Sequence, residues 1–172
     1  LMEGHMTGGV RDGAWREWWP DGSLKRNAHF AAGTPHGEWL EFYASGGARV
    51  RGLYNGGLRS GRWEAWSETG LSLVVEHFSE DQLHGARAVW SDSGALIARS
   101  DYQEGQGAGV HKEWTEEGSL VLRRTFDDPP GANREERWWP SGQERSRGLY
   151  VEGRRDGILI RRREVKAQTS RW

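Results

Sequence analysis

The chain of 172 residues is long enough for one ordinary globular domain, but its composition argues against an ordinary aliphatic core. It contains 11 Trp, 25 Gly and no Cys, so disulfides and thiolate metal sites are excluded. The net charge of −1 gives no electrostatic footprint for nucleic acid along the body of the protein. No apolar run reaches the ~20 residues of a membrane span or suggests a signal peptide, so we expect a cytoplasmic protein by default.

A period of 24 residues runs through the chain without insertion or deletion. Counting from a Gly or Asn that marks position 0, aromatic residues recur at positions 2, 5 and 17, and glycine recurs at position 9. Position 0 is held by Gly13, Gly37, Gly61, Gly85, Gly109 and Asn133; position 5 by Trp18, Phe42, Trp66, Trp90, Trp114 and Trp138; and position 17 by Phe30, Tyr54, Phe78, Tyr102, Phe126 and Tyr150. A fixed period of this length is the signature of a repeat architecture.

Each repeat is predicted to be a β-hairpin. In the first repeat, residues 14–19 form an aromatic-rich strand, residues 20–23 have turn chemistry, and residues 24–30 form the returning strand. Gly22 supplies the positive φ that follows a type I turn. The sequence therefore predicts an all-β fold, an elongated single antiparallel sheet of tandem hairpin repeats with about twelve strands spaced ~4.8 Å apart.

The turn predicts how the two strands of each hairpin pair. Positions 4 and 12 are expected to face each other, which joins Glu17 to Lys25 and Glu41 to Arg49. The same register places position 2 opposite position 14, and so pairs Trp39 with Arg51 and Glu135 with Arg147. It also places Arg87 opposite Arg99, a like-charge pair that counts against it.

The aromatic positions are predicted to divide between core and surface. Positions 5 and 17 stay aromatic in all six repeats, so we expect them to form continuous aromatic ladders in the core. Position 2 lies an odd number of residues from position 5, so in a regular strand it faces the other side unless a bulge intervenes. It changes from Trp15, Trp39 and Trp63 to Arg87, His111 and Glu135, which makes those three tryptophans the candidate binding surface.

The ends of the chain depart from the period. Residues 1–12 are interpreted as the second half of a preceding repeat, residues 13–156 as six full repeats, and residues 157–172 as a capping strand with a basic tail. A charged terminal element is what a repeat array needs as a cap. The candidate contacts of the tail are Arg161, Arg162, Arg163 and Lys166.

The unit G-x-W-x-x-W-x-x-x-G-x-L…Y-x-x-G-x-x-x-G, seen in Gly61, Trp63, Trp66 and Gly70, resembles the MORN repeat over residues 6–160. It is closest to the bacterial variant associated with antitoxin components of toxin–antitoxin pairs. The resemblance implies an elongated, twisted antiparallel sheet that contacts proteins and phospholipids. Residues 127–133, D-D-P-P-G-A-N, replace the usual glycine loop and place regular stacking in doubt there.

No constellation for catalysis or metal binding is found. His5, His29 and His77 share one position, but two repeats separate residues by about 19 Å, too far for a common zinc ion. The acidic loops lack the apolar pocket that raises a carboxyl pKa, and no nucleophile has a recognisable context. We therefore expect neither an enzyme nor a cofactor.

The leading functional hypothesis is a non-catalytic scaffold that binds another protein, in the form of an antitoxin or immunity-type binder. A row of arginines at position 14 adds to the candidate surface, because arginine and aromatic residues are enriched in protein interfaces; it consists of Arg51, Arg99, Arg123 and Arg147. One alternative is an anionic membrane surface bound through the basic tail. The other is a glycan or choline ligand on stacked rings. Self-association through free sheet edges is also expected to be possible.

Overall fold

The computed structural model describes residues 1–126, 132–151 and 154–163. These residues form fifteen β-strands, and the predicted single antiparallel sheet is confirmed. The strands are β1 Met2–Thr7, β2 Val10–Trp18, β3 Leu24–Ala31, β4 Thr34–Phe42, β5 Ala48–Asn55, β6 Leu58–Trp66, β7 Ser72–Ser79, β8 Gln82–Leu83, β9 Gly85–Trp90, β10 Leu96–Gln103, β11 Gln106–Trp114, β12 Leu120–Phe126, β13 Ala132–Trp138, β14 Glu144–Val151 and β15 Arg154–Arg161.

The strands follow each other across the sheet in chain order, without a crossover. Six hairpins account for twelve of them, as the repeat count predicts, and β1 and β15 flank these hairpins. The short β8 pairs only with β7, which also pairs with β9. Within the described ranges there is no helix of the length and apolar character needed to cross a membrane.

Two kinds of turn alternate along the sheet. Within each repeat, the predicted turn with glycine at a positive φ is confirmed: in the first, Gly22 has a φ of 89° and the amide of Trp19 donates to the carbonyl of Ser23 at 2.9 Å. At the five junctions between repeats from Gly8 to Gly105, the chain reverses over two residues that both have positive φ, as a type I′ turn requires. Ala32 and Gly33 form one such turn, and Glu104 and Gly105 form another.

A β-bulge at position 12 recurs in all six hairpins. Trp18 lies opposite Leu24, but Glu17 lies opposite Arg26, so Lys25 is an extra residue in the returning strand. In each later hairpin the register shifts in the same place, between positions 4 and 5 of the first strand and opposite the extra residue at position 12. A bulge places two residues against one, which lets Glu17 reach both Lys25 and Arg26.

The bulge makes the predicted register wrong by one residue. Trp39 lies opposite Gly52 rather than Arg51, and Glu135 lies opposite Gly148 rather than Arg147. Arg87 lies opposite Ser100, so the unfavourable pairing with Arg99 does not arise. The ion pairs expected between positions 4 and 12 are nevertheless present, because the bulged side chain still reaches its acidic neighbour: Lys25 contacts Glu17, and Arg49 contacts Glu41.

The two faces of the sheet differ in burial. We call the face that carries positions 2, 4, 13, 15 and 17 the ladder face, and the face that carries positions 3, 5 and 14 the opposite face. Most of the buried side chains lie on the ladder face, including Ala28, Phe30, Phe78, Ser100, Leu122 and Glu135. The core of this single-layer protein is therefore built on one side of the sheet.

Candidate functional site

The three candidate tryptophans at position 2 are brought together in an aromatic ladder. Trp15, Phe30, Trp39, Tyr54, Trp63 and Phe78 follow one another across the ladder face, with ring centroids 5.0–6.4 Å apart in edge-to-face contact. Rings in this geometry stabilise one another beyond their buried area. The three indole rings are thus half-buried structural elements of the ladder face.

Positions 5 and 17 are expected from the sequence to form the core ladders, with position 2 on the surface, but the rings at position 17 alternate with those at position 2 instead. Side chains alternate between faces along a strand, and the extra residue at position 12 shifts that alternation by one. Positions 13, 15 and 17 therefore lie on the same face as position 2, while the rings at position 5 lie on the other. The expectation that positions 2 and 5 face opposite sides is confirmed, since Trp15 pairs with Ala28 and Trp18 with Leu24.

The residue at position 15 of the preceding strand determines how each tryptophan is oriented. The rings of Trp15 and Trp63 lie over Gly4 and Gly52, where an added Cβ would overlap the indole. Their Nε1 atoms donate to backbone carbonyls, at 3.0 Å for His5 and 3.2 Å for Leu53.

Trp39 departs from this arrangement because the residue opposite it on the preceding strand is Ala28 rather than glycine. Its Nε1 donates instead to the carboxylate of Glu41 at 3.0 Å. Burial raises the pKa of Glu41, but the hydrogen bonds from Arg49 and Trp39 outweigh it, so that the pKa is lowered overall.

Beyond Trp63 the same row becomes charged. Arg87 replaces the fourth ring and forms an ion pair with Glu76 at 2.8 Å, and His111 contacts Glu113 at 2.8 Å. Glu135 is buried between Arg124 and Arg137, whose Nε atoms lie 3.1 and 2.6 Å from its carboxylate. Although burial opposes its ionisation, the hydrogen bonds from Arg137 and Arg124 lower the pKa of Glu135.

The candidate arginine row at position 14 lies on the opposite face, away from the tryptophans with which it was grouped. Three of its members reach a carboxylate: Arg51 pairs with Glu38 at 3.2 Å, Arg123 with Glu136 at 3.7 Å and Arg147 with Glu144 at 3.5 Å. Arg99 lies directly opposite Lys112 and forms no ion pair with any described residue. The side chains of all four arginines are exposed, so their guanidinium groups stay in contact with solvent.

The rings at position 5 accompany the arginine row. They lie on the same face, two residue pairs nearer the turns. Leu96 pairs with Trp90, and Leu120 pairs with Trp114. Leu96 and Leu53 on this face are exposed. The opposite face thus combines half-buried tryptophan, exposed leucine and exposed arginine.

The candidate tail residues are only partly described. Arg161 ends β15, and Arg162 pairs with Glu144 at 3.3 Å. Arg163 is exposed, whereas Lys166 lies outside the described residues. The unusual junction at residues 127–133 is described only from Ala132 onward, where β13 begins.

Sequence reasoning missed a cavity of about 460 Å³ at the last hairpin, which lies between β13, β14 and β15. Its lining residues are Glu135, Arg137, Trp139, Arg145, Ser146, Tyr150, Arg161 and Arg162. The available signal was the change from Glu to Arg at position 4, visible in Arg137 and Arg161. In the part of the chain that the structure describes, no three His, Asp or Glu side chains converge as a metal site.

Comparison with known families supports the repeat interpretation in the first hairpin. Residues 11–32, which contain almost all of β2 and β3, match the family model of the MORN repeat variant. No curated protein sequence matches the chain. MORN repeats are generally non-enzymatic structural modules, so the match is consistent with a binding or scaffold role.

Proposed function

We propose that the protein is a non-catalytic scaffold that binds another protein on the opposite face of its sheet. The observation that carries the proposal is the row of six rings at position 5 beside the exposed arginines at position 14. Tryptophan and arginine are the residues most enriched in the centres of protein interfaces. The tryptophans at position 2 are used by the ladder, so they support the scaffold from the other side.

The long row suits an extended partner. Each repeat presents an aromatic ring at position 5 and a neighbouring side chain at position 14 that varies, from Arg51 through Val75 to Arg99. A constant frame with variable neighbours can select one partner through the variable positions. An antitoxin or immunity-type binder is one form of such a scaffold, and co-purification with the product of the adjacent gene tests that form.

A glycan or choline ligand on the position 2 rings is less well supported. Such ligands need open ring faces, whereas guanidinium groups lie over two of the three rings: Arg11 over Trp15 at 4.7 Å and Arg26 over Trp39 at 4.7 Å. Arg59 likewise lies 3.9 Å from the ring of Phe78, a position 17 ring of the same ladder. These cation–π contacts stabilise the ladder face and cover one side of the rings of Trp15, Trp39 and Phe78.

Site-specific photocrosslinking in the native host tests the proposal. A benzophenone side chain replaces Leu96 on the opposite face, and in a control it replaces Val50 on the ladder face. We expect a discrete protein adduct from residue 96 and none from residue 50. Adducts to lipid alone from residue 96 would support the membrane alternative and overturn the protein scaffold. A protein adduct confined to residue 50 would also overturn the assignment of the binding face.

A further inference from the structure

The first and last hairpins place a cation beside an equivalent tryptophan on the ladder face, but the neighbouring charges differ. In the first hairpin, Lys25 at position 12 lies 4.9 Å from the ring of Trp19, and in the last, Arg145 lies 4.6 Å from the ring of Trp139. The two cations therefore occupy equivalent places on equivalent indoles. Their acidic neighbours differ.

Carboxylates neutralise the cations of the first hairpin. Glu17 contacts Lys25 at 2.7 Å and Arg26 at 3.4 Å, while Glu41 of the next repeat contacts Arg26 at 3.1 Å and also pairs with Arg49. The hydrogen bond from Lys25 is the main cause that lowers the pKa of Glu17. Two carboxylates from neighbouring repeats thus fit between these basic side chains.

Arginines replace both carboxylates at the last hairpin. Arg137 stands where Glu17 stands in the first repeat, and Arg161 stands where Glu41 stands. Arg137 is paired with the buried Glu135, a carboxylate that Arg124 also uses. Arg145 and Arg161 form no ion pair with a described carboxylate. Positive charge therefore accumulates around the cavity of about 460 Å³ described above.

We propose that this cavity, lined by Arg137, Arg145, Arg161 and Trp139, binds an acidic segment of a partner polypeptide. The first hairpin shows that carboxylates fit this geometry, and the last hairpin lacks those of its own. A partner that supplies two carboxylates would complete charge-assisted hydrogen bonds to Arg145 and Arg161. An extended segment of the partner is favoured, because Arg137, Arg145 and Arg161 lie on three neighbouring strands that are spaced about 4.8 Å apart.

The site is separate from the surface proposed for the scaffold function. Arg161 pairs with Ser146 and Arg137 also lies opposite Ser146, which places them on the ladder face, whereas Arg99 and Arg123 lie on the opposite face. A peptide-binding measurement on the purified chain tests the cavity alone, so its failure would not affect the crosslinking result at position 96.

The test uses fluorescence anisotropy with fluorescein-labelled octaglutamate, and octaglutamine as the uncharged control peptide. We expect octaglutamate to bind with salt-dependent affinity, and Arg145→Gln with Arg161→Gln to weaken it by about tenfold. The matched variant, Arg16→Gln with Lys112→Gln, removes the same charge from exposed residues of the opposite face and is expected to bind as the parent does. Circular dichroism checks that both variants remain folded.

Three results would overturn the proposal. One is the absence of octaglutamate binding by the parent chain. Another is an equal loss in the two double variants, because attraction to net charge would then explain the binding. The third is binding of inorganic pyrophosphate, but not of octaglutamate, by the parent chain, with the pyrophosphate binding lost only in the Arg145→Gln, Arg161→Gln variant. The site would then recognise phosphate.

Discussion

The indole ring of Trp63 lies over the backbone of Gly52 and donates a hydrogen bond to the carbonyl of Leu53 at 3.2 Å. Where alanine occupies the equivalent place, as Ala28 does for Trp39, the indole hydrogen bond goes to a glutamate instead. The acceptor of the indole hydrogen bond thus differs according to whether the neighbouring strand carries a methyl group opposite the tryptophan.

Replacing Gly52 with alanine should destabilise the sheet by about 1–3 kcal/mol, since the new methyl group would force the Trp63 ring from its place. Urea denaturation followed by tryptophan fluorescence measures the change. Gly47→Ala is the control, because a Cβ there would meet only the carbonyl oxygen of Glu68 at 3.8 Å. We expect the control to shift stability by less than about 0.5 kcal/mol, and equal losses in both variants would contradict the explanation.

The third repeat lacks the glutamate that accepts the hydrogen bond from Trp39. Ala65 occupies its position, so the displaced Trp63 of the Gly52→Ala variant would lack the carboxylate two residues along its own strand that Trp39 uses. Adding Ala65→Glu should therefore cost less in the Gly52→Ala background than in the parent, with a coupling of about 1 kcal/mol in a double-mutant cycle. Additive effects of the two substitutions would show that Trp63 does not adopt the arrangement of Trp39.

The aromatic ladder should extend by one repeat if glycine and tryptophan are introduced together. Glu76→Gly alone leaves Arg87 without its ion pair, and Arg87→Trp alone places a ring against Glu76. We expect each single variant to lose about 1 kcal/mol and the double variant to recover that loss through the glycine–tryptophan relationship. Thermal and urea unfolding of the four proteins measures the coupling. A double variant less stable than both singles would reject this account of the ladder.

The turn at Glu104 and Gly105 should be improved by a residue suited to positive φ. Glu104 has a φ of 51°, a conformation that asparagine adopts more readily than glutamate. Glu104→Asn should stabilise the protein by about 0.5–1 kcal/mol, as judged from the midpoint of urea unfolding. Glu104→Gln removes the same charge without that conformational benefit, and a gain of equal size there would point to charge rather than backbone strain.

Glu135 should make the protein less stable in acid. Its pKa in the folded protein is lowered, so its contribution is fully present above the unfolded pKa of about 4.3 and is lost as pH falls through the folded pKa. Urea midpoints measured from about pH 7 to about pH 3 follow this loss. Glu135→Gln should lower stability by about 1–2 kcal/mol at neutral pH and reduce the acid dependence.

The exposed turn residue Glu68 provides the control for that experiment. Glu68→Gln should leave both the neutral stability and its acid dependence close to those of the parent. If Glu135→Gln kept the full acid dependence of the parent, another carboxylate would be responsible for it.

The sequence alone determined the period, the hairpins and the local charge pairs. Glycine at position 9 has few competitors for the positive φ that follows a type I turn, so the turn at Gly22 could be predicted from a few neighbouring residues. The contact between Glu17 and Lys25 was also predictable, because both residues lie close to that turn and long side chains tolerate a shift of one residue.

Tertiary structure decided which side chains share a face. The bulge at position 12 inserts one residue into the returning strand, and because side chains alternate with a period of two, it moves every later residue to the other side. The ladder therefore joins Trp15 to Phe30, and the arginine row lies behind it. The cavity at Arg145 and Arg161 likewise required β14 and β15 to be neighbours with a known register, which no single repeat contains.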